Sequence, residues 1–91
     1  MVIIKLGKTF DKQFKTRIHP NKNLVKMYKE RVLLFVEDRE NPALKDHELT
    51  GKLRGLKAFS ITGDIRVIYV EREKGYFIFL DIGTHPQIYG M

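Results

Sequence analysis

A chain of 91 residues allows one domain with a modest core and excludes a second independent one, and 43% hydrophobic with 31% charged residues is a globular rather than a disordered composition. The lack of cysteine removes disulfides, thiolate zinc sites and a cysteine nucleophile together, as expected of a chain kept in a reducing cytoplasm. Seventeen Lys and Arg against eleven Asp and Glu give a formal charge of +6, so polyanions are the natural partners, either phosphate backbones or acidic proteins, with plain solubility as the bland alternative.

Val2-Ile3-Ile4-Lys5-Leu6 is β-branched and reads as a first strand, too short for a membrane span or a signal-peptide core, and Gly7 ends it. Thr9 is a suitable N-cap for a first helix, in which Phe10, Phe14 and Ile18 fall at i, i+4 and i+8 on one face. His19-Pro20-Asn21 interrupts it, because the residue before proline avoids the helical region and proline has no N–H to donate. A second helix is expected from about Asn23 to Asp38, with Leu24, Met27, Tyr28, Val32, Phe35 and Val36 as its apolar stripe, ended by Asn41-Pro42. Residues 41–54 read as a polar connection.

Leu56 to Ile61 is a strand, Thr62-Gly63-Asp64 a tight turn, and Ile65 to Val70 the next strand. Glu71 to Gly75 reads as a second hairpin turn, followed by a last strand from Tyr76 to Ile82 that stops at Gly83. Its alternation sets Tyr76, Ile78, Leu80 and Ile82 against Phe77, Phe79 and Asp81. The expected fold is α+β with the order β-α-α-β-β-β, two N-terminal helices packed on a twisted, antiparallel-rich sheet whose other face stays partly open.

There is no HExxH, no glycine-rich phosphate loop and no carboxylate spacing suited to a divalent metal, so neither metal nor cofactor is expected. What remains suits metal-free phosphodiester chemistry: imidazoles that move protons near neutral pH, an arginine for a phosphate, and a carboxylate. His19, before Pro20, is better explained by its turn. His47 in the polar connection reads, taken alone, as a solvated loop residue, whereas His85 in Gly83-Thr84-His85-Pro86 follows the last strand in a turn with no apolar periodicity to account for it. Arg66 interrupts an apolar strand and needs either solvent on an open face or an anionic partner, for which Asp64 and Asp81 are available. Tyr89 serves as core, as terminal packing or as a stacking platform for a base.

Three segments in order carry a family resemblance: the His47-Glu48-Leu49-Thr50-Gly51 loop, the strand Asp64-Ile65-Arg66-Val67-Ile68-Tyr69, and the terminal Gly83-Thr84-His85-Pro86-Gln87-Ile88-Tyr89. Together they resemble the YafQ-like branch of the RelE/ParE toxins, over roughly the second half for the motifs and essentially the whole chain for the element order, so residues 1–91 are expected to form a single RelE-like toxin domain. The resemblance implies a ribosome-dependent endoribonuclease that cuts mRNA without metal and is neutralised by a cognate antitoxin, in a complex that binds operator DNA. It places His47, Asp64 and His85 at family catalytic positions, Arg66 where the RelE branch keeps a functional arginine, and Tyr89 at the family's terminal aromatic. Two departures stand out: Ser60 where the family carries a further histidine, and Ile65 where it often has tryptophan. The alternatives are a ParE-like toxin that poisons DNA gyrase without cleaving anything, and a basic RNA-binding module without catalysis.

Overall fold

In a computed structural model, which describes residues 1–90, five strands form one sheet in the order β1-β5-β4-β3-β2. These are β1 Ile3–Leu6, β2 His47–Glu48, β3 Lys57–Ser60, β4 Ile65–Glu73 and β5 Tyr76–Thr84, joined by helices α1 Lys8–Arg17, α2 Lys22–Glu37 and α3 His85–Tyr89. β1 runs parallel to β5, and β2 to β5 are successively antiparallel. The α+β class and the pair of N-terminal helices on a mostly antiparallel sheet are as expected, while β2 and α3 are additions. No helix among the described residues is long and apolar enough to cross a membrane.

Helix α1 starts at Lys8 with Gly7, not Thr9, as its N-cap. The Gly7 N–H is already committed to the Phe79 carbonyl at 2.9 Å, and its own carbonyl accepts from Asp11, so the chain passes from strand to helix one residue sooner. A Cβ at Gly7 would sit 3.1 Å from that Phe79 oxygen, which is why glycine suits the junction. Helix α2 is capped by Asn21, whose side chain accepts from the N–H groups of Asn23 and Leu24 at 3.0 and 3.2 Å.

The core lies between the helices and one face of the sheet. Phe10, Ile18, Phe35, Phe59, Val67, Tyr69, Phe77, Phe79 and Ile82 are buried there, and the Phe35 ring meets those of Phe59, Tyr69, Phe77 and Phe79 at centroid distances of 4.7 to 5.7 Å. Val36, assigned to the apolar stripe of α2, is instead exposed, together with Leu33, because the contact face of the helix ends on Phe35.

The expected alternation of the last strand fails at one residue. Ile68 faces Asp81 but Tyr69 faces Phe79, so Leu80 is an extra residue in β5, and Phe77, Phe79 and Ile82 all reach the helix side. A second register shift lets β4 continue to Glu73, so the hairpin turn shrinks to Lys74-Gly75, with Gly75 at φ 84°. Gly83 does not end β5, which runs to Thr84 opposite Ile65.

Residues 41–54 are not simply a polar connection. They hold two 3-10 turns, 42–44 and 51–53, and the short edge strand β2, and they bury Leu44 and Leu49. Leu49 joins Ala58 and Ile68 in a small cluster on the sheet face away from the helices, flanked by Leu53, Leu56 and Ile88. This cluster covers part of the face expected to be open and leaves its far end uncovered.

Candidate functional site

Arg66 in β4 stands between Ser60 of β3 and Gly83 of β5. Its neighbour Val67 is in the core, so the pleat turns Arg66 to the face away from the helices. Neither carboxylate that could neutralise it does so: among the described residues Arg66 joins no ion pair, and Asp81 lies 3.6 Å from Arg17 instead. The register sets Asp81 opposite Ile68, on the same face as Arg66 and one row along, but Arg17, which also donates to the Ile82 carbonyl, takes the carboxylate. The Arg66 Nε is buried with no hydrogen-bond partner, a donor whose desolvation is uncompensated within the chain.

Two local structures bring further groups beside Arg66. The Thr62 hydroxyl accepts from the N–H groups of Asp64 and Ile65 at 3.1 and 3.0 Å, a side-chain-closed turn that leaves the Asp64 carboxylate exposed at its rim. At the end of β5 the Thr84 hydroxyl accepts from the Gln87 N–H while the Gln87 side chain accepts from the Thr84 N–H at 2.8 Å, a reciprocal cap that turns strand directly into helix α3. His85 is the first helical residue and Pro86 the second, where the missing N–H costs nothing. One turn later the Tyr89 ring lies 4.3 Å from the His85 ring at 32°, close to stacked, so Tyr89 limits how the imidazole can rotate. Gly63, Asp64, Arg66, Thr84, His85 and Pro86 line one pocket of about 360 Å³.

Of the residues singled out in the sequence, Asp64, Arg66 and His85 therefore share a pocket, Tyr89 reaches it through His85, and His47 does not line it. His47 lies in β2 opposite Ala58, which faces Ile68, so it belongs to the same sheet face as Arg66, two strands out and one row along. Two strand spacings amount to roughly 10 Å. Its Nδ1 is 2.7 Å from the Lys45 carbonyl. A carbonyl only accepts, so Nδ1 must carry the proton, and the neutral ring keeps a bare Nε2. Lys45 has φ 50°, a left-handed conformation that aims this carbonyl.

The segment before His47 is anchored by groups that sequence reasoning did not single out. The Tyr69 hydroxyl, at the edge of the aromatic core, donates to Asp46, and Lys57 Nζ lies 3.9 Å from the same carboxylate. Burial, with the bond to Asp46 second, pushes the Tyr69 hydroxyl well above its ordinary pKa, so it stays a donor. Arg17 was missed as well. It donates to the Ile82 carbonyl at 2.9 Å, beside the strand end that carries His85, and a Cβ at Gly83 would meet its guanidinium at 2.5 Å. Gln87 had a readable signal in Thr84-x-x-Gln87, whereas Asp46 and Tyr69 are 23 residues apart and gave none. Among the described residues no three His, Asp or Glu side chains gather to hold a metal ion.

Residues 2–90 match the family model described as the bacterial toxin of type II toxin-antitoxin system, YafQ. Similar solved structures include YafQ from E. coli strain BL21(DE3), with TM-score 0.81, 21% identity and coverage of 99% of this chain and 100% of that one. The E. coli DinJ-YafQ complex matches with TM-score 0.80 and 22% identity over 99% of this chain and 100% of that one. A metal-bound toxin from Helicobacter pylori matches with TM-score 0.78 and 24% identity over 97% of this chain and 99% of that one. Comparison by sequence with curated proteins gives no match.

Proposed function

The chain belongs to the YafQ family of bacterial toxins of type II toxin-antitoxin systems, and from that premise we propose that it is an endoribonuclease that cuts mRNA on the ribosome, in the cytoplasm, without a metal ion. The observation that carries this reading is the convergence of Asp64, Arg66 and His85 on one pocket in which the Arg66 Nε has no protein partner. A phosphodiester supplies the acceptor that this donor lacks.

In the reaction the RNA 2′-oxygen attacks the adjacent phosphorus, a base takes the 2′-hydroxyl proton, and the bond from phosphorus to the 5′-oxygen breaks as an acid protonates that oxygen. The products are a 2′,3′-cyclic phosphate and a 5′-hydroxyl. Arg66 balances the charge that grows on the non-bridging oxygens. His47, whose bare Nε2 is set by the Lys45 carbonyl, is the base. His85 is then the acid, held by its Tyr89 neighbour, which also offers a face on which a base stacks. Asp64 at the rim orients the imidazolium or the 2′-hydroxyl. Two strand spacings, roughly 10 Å, and one row along the strands separate His47 from Arg66, which leaves space for a bound nucleotide, and so few groups cannot by themselves align a flexible strand for in-line attack. Alignment is worth about 7 to 11 kcal/mol at best, and the ribosome provides it.

DinJ in the E. coli complex is the precedent for a partner antitoxin. With a net charge of +6, this chain suits an acidic one, whose association slows as salt rises because steering is screened over about 10 Å at 0.1 M ionic strength. The test is cleavage of mRNA on programmed ribosomes by the purified chain. Cuts bearing cyclic or 3′-phosphate ends are expected, with no cutting of the same RNA when free. Rapid cleavage of free RNA at those sites, or 5′-phosphate ends, overturns the mechanism.

A further inference from the structure

Beside the pocket just described lies a second one of about 210 Å³, on the other side of the 62–64 turn, lined by Met27, Arg31, Ala43, Lys45, Ser60, Thr62 and Gly63. It forms where β2 is too short to cover the edge of β3: β2 pairs only with Lys57 and Ala58, so the strand beyond them faces α2 and the 42–44 turn. Gly63 lines both pockets, which makes them neighbours along one path over a residue that has no side chain to block it.

The chemistry of the lining is one-sided. It holds two cations and two hydroxyls and no carboxylate, whereas the other basic concavity, around Arg39 and Lys45, also carries Glu40 and Asp46 and is self-neutralised. Arg31 is held in place by donating from one guanidinium nitrogen to the Ala43 carbonyl, which leaves its other donors uncommitted, and among the described residues neither Arg31 nor Lys45 is in an ion pair. The Thr62 hydroxyl already accepts from two backbone N–H groups, so its remaining capacity is its own proton, available to an acceptor. Fixed donors and positive charge without a counter-charge fit a compact oxyanion.

We propose that the Arg31–Lys45 pocket is a second phosphate subsite, which holds an RNA backbone phosphate flanking the one on Arg66, with the strand crossing at Gly63. Two phosphates gripped on either side of the turn fix the direction of the strand over the site, so that the residues around Arg66 and His85 act on one defined bond. The identity of the ligand as RNA rests on the ribonuclease reading; the affinity of the pocket for phosphate does not.

Binding is therefore measured without cleavage. The full chain, labelled with 15N, is titrated first with inorganic phosphate and then with a 2′-O-methyl RNA trinucleotide, which lacks the attacking hydroxyl. Saturable movement of the Thr62, Gly63 and Lys45 amide signals is expected. Lys45→Gln and Arg31→Gln should each weaken trinucleotide binding several-fold and flatten its dependence on log salt by about one contact's worth, roughly 0.7 for a single strand. Lys29→Gln, which removes the same charge from an exposed site outside the pocket, should leave both nearly unchanged. Because Arg31→Gln also loses the tether to Ala43, Lys45→Gln, with unchanged melting temperature, is the deciding variant. The subsite is refuted if phosphate moves only signals near Arg66 and His85, or if Lys45→Gln binds no more weakly than Lys29→Gln. Loss of the ribonuclease reading would instead appear as uncut mRNA on ribosomes with these titrations intact.

Discussion

The two faces of the sheet are built on opposite terms. Toward the helices, Phe35 sits among four other aromatic rings, and the strands contribute Phe59, Val67, Tyr69, Phe77, Phe79 and Ile82, all buried. On the far side the buried hydrophobic cluster is small, Leu49, Ala58 and Ile68, and Arg66, Asp64 and His85 gather around a pocket beside it. In a chain this small, stability is concentrated on one face, which frees the other to keep a desolvated, unpartnered guanidinium that a core would not tolerate. Changes on one face should therefore move stability and changes on the other activity, with Tyr69 and Asp46 as the bridge between them.

The largest separation is expected for His85→Ala. Loss of a proton-transfer group should lower ribosome-dependent cleavage by about 10²- to 10⁴-fold. The residue is exposed, so the melting temperature should stay within a degree or two and antitoxin affinity should be nearly unchanged. A folded variant that cleaves normally would remove His85 from the mechanism. Phe35→Ala is the mirror experiment: about 3 to 5 kcal/mol of stability lost on denaturant unfolding, from a side chain 2% exposed. At temperatures where the variant is still folded, its cleavage rate should be close to that of the parent.

Tyr69→Phe tests the bridge and should act on both faces. It removes a bond to a charged acceptor, for which about 1.5 to 3 kcal/mol is typical, and leaves Asp46 with only the distant Lys57. If the Asp46 anchor positions His47, kcat should fall while KM holds, and Asp46→Asn should reproduce the effect. A loss of stability with kcat untouched would show that the anchor serves the core alone.

The smallest effect concerns Glu71, which accepts from the Gly75 N–H and from Arg39, both at 3.0 Å. The Gly75 N–H first, and Arg39 second, hold its carboxyl below the usual range. With the folded-state value depressed, this contribution to stability is fully present above the unfolded carboxylate pKa of about 4.3 and is lost as pH falls through the folded value. Glu71→Gln should thus narrow the stability gap between neutral and acidic pH by a small amount, read as a shallower fall of melting temperature with acid, and leave cleavage unaltered. An acid fall identical to that of the parent would remove Glu71 from it.

Much of this division is legible in the sequence because it rests on periodicity. Phe10, Phe14 and Ile18 gave α1, the Pro20 break gave the start of α2, and Arg66 betrayed the second face by interrupting an apolar strand. What was missed depends on counts and partners that no window contains. The phase change at Leu80 is visible only once β5 is paired with β4, and the capture of Asp81 by Arg17 joins residues 64 positions apart. Two-residue β2 has no periodicity to read, and its existence is decided by the neighbouring edge of β3. Helix α3 is the exception, since the Thr84-x-x-Gln87 cap is a local signal that starts a helix directly after the strand and outweighs the break that Gly83 suggests.

Leu80 itself carries a consequence in genetic terms. A missense change there alters one half-buried side chain in a position that is already out of step with its partner strand. An in-frame deletion of its codon removes the extra residue and leaves Phe79 opposite Tyr69, Asp81 opposite Ile68 and Ile82 opposite Val67 in unbroken alternation, so Asp81, Ile82 and the start of α3, with His85 on it, keep their faces. Point substitutions and the single-codon deletion at Leu80 should both be recovered in a screen for functional variants, whereas deletion of the Val67 codon, in the unbroken pairing of β4 with Phe59 and Ile82, should not.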